Sequence, residues 1–410
     1  MRIDGIRVYL EAMVPLSTLL LALMPVLGPR VMVFLIAIWI VVLVARALLD
    51  PSPSPRSSWR WTIFLALPFL VMLADMMRAP DLITGWKTTE RSSALLVFPL
   101  GFLLFGAPSS DRFREAMMDI LGLAAMALAV IPNTWLFLSG HGHAELTGDP
   151  AFNYREAFGA LTGMHPPFAA YFFLTAAVFQ VERLLDKARR PWLRVIAIAC
   201  LIGASLLIGS RMPLFAFAAA ITALLFMHLP RAKAVRFGAL AFVAVTVLAL
   251  AVPQSRHRIS EAIITVRGHD TPGLNSVNIR GPITRCTLHL IREHWMTGVG
   301  QANTQTFLDE CYTGFGRTVL LNGSYSTHNQ LMHWWLSFGI LGLLLYIAYF
   351  GVLLHRAWRC KDAAHLGMLV FILLCSLTEN VISRQWGLVL FACFNALFVA
   401  SDDRVPVQYH

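Results

Sequence analysis

Long apolar runs separated by short polar connections occupy most of the chain. A helix needs about 20 mostly apolar residues to cross a bilayer, and runs of this kind predict about twelve transmembrane helices. The predicted spans are residues 8–27, 31–49, 61–77, 92–106, 116–138, 164–181, 191–208, 212–229, 235–252, 328–354, 363–377 and 387–400. The pattern therefore predicts an all-α integral membrane protein, with residues 1–410 as a single polytopic domain.

The first run and the basic residues predict how the chain is oriented. Residues 8–27 are longer than the apolar part of most signal peptides and end in Leu27-Gly28-Pro29, a poor cleavage site, so we interpret them as a retained helix. Lys and Arg concentrate in alternate short connections. Because cytoplasmic loops carry the excess of these residues, both termini are expected in the cytoplasm.

One segment, residues 253–327, is polar and cannot span the membrane. It lies between the ninth and tenth predicted spans, on the outer side, and loops of this length are usually functional. Within it, Ile283, Cys286, Leu290 and Ile291 recur at near-helical spacing, and Pro282 suits the first turn of a helix. The segment therefore predicts short amphipathic helices near the outer membrane–water boundary.

The composition supports a membrane protein. Apolar residues make up 57% and charged residues 14% of the chain, whereas soluble domains have about 45–50% and about 25%. These values argue against a water-soluble enzyme and against intrinsic disorder. The net charge is +10, but the basic residues lie between apolar runs, which favours a membrane over a nucleic-acid partner.

The cysteines are only weakly informative. Cys286 and Cys311 both fall in the outer loop, where an oxidising compartment would permit a disulfide. Two cysteines in one loop do not establish that they pair, so the sequence leaves this open. No CxxC or HExxH spacing is present, and neither a metal nor another cofactor is expected.

Arg211 is the first candidate functional residue. It lies in the predicted turn Gly209-Ser210-Arg211-Met212-Pro213 between two spans. Charges buried in a membrane are expensive and tend to be functional, and helix N-termini favour anions. The alternative is an interfacial arginine whose side chain reaches water.

Arg280 precedes the predicted amphipathic helix. A guanidinium binds phosphate through a flat fork of donors, and two such groups can bind a pyrophosphate. Arg285 and Arg292 follow on the same helix. A solvated basic face explains these two residues better than a specific role.

His328 stands where the outer loop re-enters the membrane. A neutral histidine can accept a proton from a hydroxyl near physiological pH, which makes His328 a candidate general base. A single histidine at the beginning of a helix is, however, more often structural.

Four motifs together resemble the O-antigen ligase and polymerase family. His328-Asn329, followed after nine residues by Gly339-Ile340-Leu341-Gly342, resembles its His-Asn-x9-Gly-x-x-Gly motif. The other three are Gly209-Ser210-Arg211, the Arg280-led segment that ends in Gly298-Val299-Gly300, and Leu377-Thr378-Glu379-Asn380. The chain departs from the pattern at Thr284, where an aromatic residue is common, and at Trp295, where proline is common.

The resemblance implies a glycosyltransferase that moves O-antigen polysaccharide from undecaprenyl diphosphate to a hydroxyl of the lipid A-core. The reaction would occur on the periplasmic face of the bacterial inner membrane, invert the anomeric carbon, and require no metal or nucleotide. Arg211 and Arg280 would bind the pyrophosphate, and His328 would be the base.

Three residues are candidates for supporting roles in that scheme. Asn329 would orient His328, bind sugar or cap a helix. Glu379 is expected to pair with Arg384 or to assist catalysis, and Arg285 is the third candidate. No protein partner is predicted.

Other functions remain open at this point. An O-antigen polymerase would use a similar donor but extend a lipid-linked glycan. A transporter would fit twelve spans, but the chain has no inverted repeat and no mid-span relay of charged residues. In a purely structural membrane protein, Arg211, Arg280 and His328 would lie far apart.

Overall fold

The computed structural model describes residues 3–49, 59–139, 150–186, 190–251, 279–314, 319–322 and 324–402. Every regular element within these ranges is helical, which confirms the predicted all-α class. The helices are α1 (Ile3–Leu20), α2 (Pro29–Leu49), α3 (Trp59–Asp75), α4 (Leu82–Glu90), α5 (Ala94–Pro99), α6 (Asp111–Leu138), α7 (Pro150–Thr162), α8 (Pro166–Leu185), α9 (Pro191–Ile208), α10 (Arg211–His228), α11 (Arg231–Ala251), α12 (Arg280–Glu293), α13 (Thr304–Gly314), α14 (Val319–Asn322), α15 (Gln330–Arg359), α16 (Ala363–Ser376) and α17 (Gln385–Asp402).

Among the described residues, eight helices are long and apolar enough to cross a membrane, judged by length and composition. Three shorter apolar helices correspond to the predicted spans 92–106, 363–377 and 387–400. A membrane favours such helices because each satisfies its own backbone hydrogen bonds. The class is confirmed, while the count of twelve spans stays a prediction.

Helix α8 lies at the centre of the bundle and is mostly buried, in contact with α6, α9, α10 and α16. Around one end of α8, helix termini are joined by ion pairs. The ion pairs are Arg114–Asp362 (2.8 Å), Arg183–Glu115 (2.7 Å) and Arg194–Asp119 (2.6 Å), and the histidine–carboxylate contact His228–Glu182 (2.9 Å) lies at the same end. We call this the paired end. The opposite end, which we call the open end, carries the beginnings of α8, α10, α15 and α17 and the end of α16.

Helix α15 is not the continuous span that the apolar run 328–354 predicts. Gly339 has φ 66° and ψ −154°, which breaks the helix. The loop 296–301 replaces the lost hydrogen bonds, because the amides of Val299 and Gly300 donate to the carbonyls of Leu336 (2.8 Å) and Ser337 (2.9 Å). A side chain at Gly339 would overlap the backbone of this loop, so only glycine fits.

Helices α12, α13 and α14 form a small cap over the beginning of α15. The amphipathic helix predicted at 282–294 is present as α12, but its apolar face packs against protein in the core of this cap. Cys286 and Cys311 form a disulfide between α12 and α13, with Cα atoms 5.8 Å apart. Residues 253–278, 315–318 and 323 of the predicted outer loop lie outside the described residues, as does residue 252 at the end of the preceding predicted span.

Candidate active site

His328 and Glu379 form the centre of the candidate site at the open end. The imidazole Nδ1 lies 3.1 Å from each carboxylate oxygen of Glu379. The two side chains are only 23% and 12% exposed. A carboxylate accepts hydrogen bonds, so Nδ1 carries a proton, and in the neutral imidazole Nε2 is then the nitrogen that can accept one.

The backbone at His328 is unusual. Its φ is 48°, in the left-handed region that residues other than glycine rarely adopt. Such conformations cost about 1–3 kcal/mol and persist only where surrounding contacts impose them. Here the contacts come from the segment that follows α16, which includes Glu379.

Glu379 is ionised and aimed at the imidazole. Burial acts to raise the pKa of Glu379, but the hydrogen bond and charge of His328, the amide of Asn380 and the charge of Arg280 outweigh it. The pKa of Glu379 is therefore lowered below its ordinary value. The partner of Glu379 is His328 and not Arg384, so the pairing expected from sequence was wrong.

Asn329 caps helix α15. Its side-chain oxygen accepts from the amide of Met332 at 3.0 Å, and its side-chain nitrogen donates to the carbonyl of Leu377 at 3.0 Å. Of the roles considered for Asn329, capping is confirmed. The same side chain fastens the beginning of α15 to the end of α16, next to Glu379.

Two amide side chains that the sequence analysis did not single out strengthen this connection. Asn380 donates to the hydroxyl of Ser326 and accepts from that of Thr327, both at 3.1 Å. Gln330 donates to the hydroxyl of Ser383 at 2.8 Å. Asn380 belongs to one of the quoted motifs and Gln330 directly follows another, which was the available signal.

Arg280 and His328 line the same cavity, which has a volume of about 130 Å³. Arg280 is the first residue of α12, and its charge acts on Glu379. The remaining lining residues are Ile283, Thr284, Thr327, Asn329, Met332, Leu377 and Thr378. The fold thus brings Arg280, His328 and Glu379 together from three separate parts of the chain.

Arg211 lies at the same end of the bundle, as the first residue of α10. Near the paired end, Gly367 of α16 packs against Leu224 of α10. The two helices run in opposite directions from there, so Arg211 lies beside the end of α16. Arg211 does not line the 130 Å³ cavity.

Arg285 does not join the site. Its side chain is exposed on the outer face of α12, away from the cap core. This position matches the solvated basic face considered from sequence. No group of three or more His, Cys, Asp or Glu that could hold a metal occurs within the described part of the chain.

The first half of the chain also contributes to the site, through contacts that no motif indicated. The guanidinium of Arg78 donates to the carbonyls of Thr297 (2.8 Å) and Gly298 (2.5 Å). The carboxylate of Asp75 accepts from the amide of Gln301 at 2.7 Å. The end of α3 thereby fixes the loop 296–301, which in turn replaces the hydrogen bonds lost at the break in α15.

These observations define an all-α membrane protein with a histidine–carboxylate pair and an arginine in a cavity at one end of the bundle. A sequence model of the O-antigen ligase family matches residues 196–347 and supports assigning the chain to that family, as the motifs predicted. Arg211, Arg280 and His328 all fall within the matched residues. The family indicates an enzyme of O-antigen processing in lipopolysaccharide biosynthesis. No curated protein matches the chain significantly.

Proposed function

We propose that the protein is an O-antigen ligase. In this proposal it transfers O-antigen polysaccharide from undecaprenyl diphosphate to a hydroxyl of the lipid A-core, on the periplasmic face of the inner membrane. The observation that carries the proposal is the contact of His328 Nδ1 with both Glu379 oxygens at 3.1 Å, in residues next to the cavity that Arg280 lines.

His328 acts as the general base. Glu379 fixes the ring through Nδ1, and Nε2 removes the proton from the acceptor hydroxyl as its oxygen attacks the anomeric carbon. The bond from that carbon to the diphosphate oxygen breaks, and undecaprenyl diphosphate leaves with the electron pair. One positioned base typically contributes about 10²–10⁴-fold to the rate.

The arginines act on the leaving group. A diphosphate already leaves readily, so the main requirement is to stabilise the charge that develops on it. Arg280 supplies a fork of donors from the cavity wall, and Arg211 supplies a second one from the beginning of α10. Attack opposite the leaving group inverts the anomeric carbon, and the scheme needs no metal.

The direction of the bundle supports a periplasmic site. Arg114, Arg183 and Arg194 gather at the paired end, and cytoplasmic ends of membrane helices carry the excess of basic residues. With the paired end in the cytoplasm, the cavity at the open end faces the periplasm. Both termini are then cytoplasmic.

The experiment that tests the proposal is a transfer assay with the full chain in proteoliposomes. The lipid-linked polysaccharide is supplied together with lipid A-core. We expect glycosylated lipid A-core and released undecaprenyl diphosphate. Polymer formed only on the lipid-linked glycan would identify a polymerase instead, and no transfer to either acceptor would refute the proposal.

A further inference from the structure

A second cavity, of about 400 Å³, lies at the open end and has no part in the scheme above. It is enclosed by the connection between α1 and α2, the end of α6, the connection between α7 and α8, and the beginning of α17. Its walls are mainly apolar and include Gly28, Trp135, Leu161, Met164 and Trp386. This volume lies in the range of about 300–1,000 Å³ that is typical of ligand sites.

Arg384 and His165 lie next to the lining residues along the chain. Arg384, which is exposed, precedes the lining residue Trp386 by two positions, and His165 directly follows the lining residue Met164. Loss of hydration lowers the pKa of His165, and the charge of Arg155 adds to that effect. His165 therefore favours its neutral form, and the positive charge beside the apolar walls is that of Arg384.

The segment 383–386 links this cavity to the His328–Glu379 pair. Ser383 is hydrogen-bonded to Gln330, two residues after His328. Arg384, His328 and Glu379 all influence His165 electrostatically, so these groups share one region of the open end. A ligand in the cavity could therefore extend its head group towards His328.

The cavity and Arg211 belong to different parts of the bundle. Helix α10, which begins with Arg211, packs against α11, α16 and α8, whereas the cavity is bounded by α6 and α17. Among the described residues, the cavity shares no lining residue with the one that Arg280 lines. It is therefore available to a second lipid.

We propose that the 400 Å³ cavity binds an acyl chain of a phosphorylated acceptor glycolipid, with the exposed Arg384 beside it facing the phosphate. The assignment rests on the proposed function, because that function requires two lipid substrates. Charge complementarity favours a phosphorylated lipid. The limited volume favours one acyl chain over the much longer isoprenoid of the donor. Binding there directs the acceptor head group towards His328.

The test measures lipid binding without turnover, by native mass spectrometry of the full chain in detergent. The probes are bisphosphorylated lipid A and undecaprenyl diphosphate. Gly28→Leu places a side chain in the cavity. A Cβ atom added at Gly28 would have no other atom of the described residues within 4 Å, so the substitution causes no clash there. Gly351→Leu, at an exposed glycine of α15 with the same open surroundings, is the matched control.

We expect Gly28→Leu to weaken lipid A binding at least about tenfold, the effect of losing about 1.4 kcal/mol of binding energy. Undecaprenyl diphosphate binding should not change, and Gly351→Leu should affect neither lipid. The assignment would be overturned if lipid A binding were unchanged, if the binding of both lipids were lost, or if only the binding of undecaprenyl diphosphate were lost.

Arg384→Gln provides a second test that does not alter the cavity. It should weaken the binding of bisphosphorylated lipid A more than the binding of monophosphorylated lipid A. Equal effects on the two would contradict the predicted contact. The binding result is separable from the proposed function. If lipid A binds as expected and the wild-type chain transfers no polysaccharide, the ligase proposal fails while the lipid site stands.

Discussion

Each end of the helix bundle contains a histidine–carboxylate pair. At the paired end, His228 Nε2 lies 2.9 Å from Glu182, and at the open end, His328 Nδ1 lies 3.1 Å from Glu379. The two histidines are also similarly exposed, at 26% and 23%. Neither the pairing nor the burial of a histidine therefore identifies the reactive one.

The surroundings separate the two pairs. His228 is the last residue of α10, where a basic side chain suits the helix dipole, and its neighbours are further ion pairs. His328 has a left-handed backbone, and it lines a cavity together with Arg280. Charges that neutralise one another stabilise a bundle, whereas charges that face a cavity are available to a substrate.

The largest expected effect is the contrast between the two histidines. His328→Ala should reduce transfer by about 10²–10⁴-fold, because it removes the proposed base. His228→Ala should leave the transfer rate within about threefold of wild type and lower only the thermal stability, as expected for a side-chain contact away from the site. Initial rates in proteoliposomes check both variants. Equal losses in the two would remove the distinction between the pairs.

The break in α15 gives the next largest effect. Gly339→Ala would place alanine in a backbone conformation with φ 66° and bring its Cβ atom into a clash with the carbonyl of Met296. The free energy of unfolding should therefore fall by about 3 kcal/mol. Gly351→Ala, in the same helix with open space around it, should change little. Thermal unfolding in detergent compares the two. A stable Gly339→Ala variant would mean that the break is not required.

The arginine geometry gives a smaller effect. Arg280→Lys keeps the charge but loses the flat fork, and we expect the donor KM to rise about 10–100-fold, in line with hydrogen bonds to charged groups worth about 1.5–3 kcal/mol. Arg211→Lys should act in the same direction. Arg292→Lys, on the exposed face of α12, is the control and should not change KM. Full activity of Arg280→Lys would argue against diphosphate binding by a fork.

The smallest effect concerns pH. The folded-state pKa of Glu379 is lowered, so its contribution to stability is complete above the unfolded-state pKa and is lost as the pH falls through the folded-state value. Wild type should therefore unfold at a higher temperature than Glu379→Gln at about pH 7, and the difference should be smaller at about pH 3.

Glu310→Gln is the control for that measurement. Glu310 is an exposed carboxylate on α13, and its substitution should make no difference at either pH. A stability difference between wild type and Glu379→Gln that grows on acidification would contradict the sign worked out for Glu379.

The sequence predicted the helices well because apolar length is a local property. The run 191–208 coincides with α9, and the run 363–377 matches α16 to within one residue. The interruption at Gly339 escaped the same reasoning. Glycine within an apolar run also suits close helix packing, and only the loop 296–301 packed against it makes the break visible.

The candidate site was predicted in part. Arg280 and His328 were found because motifs mark them, and the fold brings them to one cavity. The predicted partner of Glu379 was wrong because Arg384 is only five positions away in sequence, whereas the actual partner, His328, is 51 positions away. Asp75 and Arg78 are more than 200 positions from the loop 296–301 that they contact. The sequence around them contains no pattern that indicates this contact.

The most direct test of the account is a cryo-electron microscopy structure of the full chain with undecaprenyl diphosphate bound. The account predicts the diphosphate within hydrogen-bond distance of the Arg211 and Arg280 guanidinium groups, in a space that His328 Nε2 also faces. A diphosphate bound at the paired end, or at the open end without contact to either arginine, would contradict it.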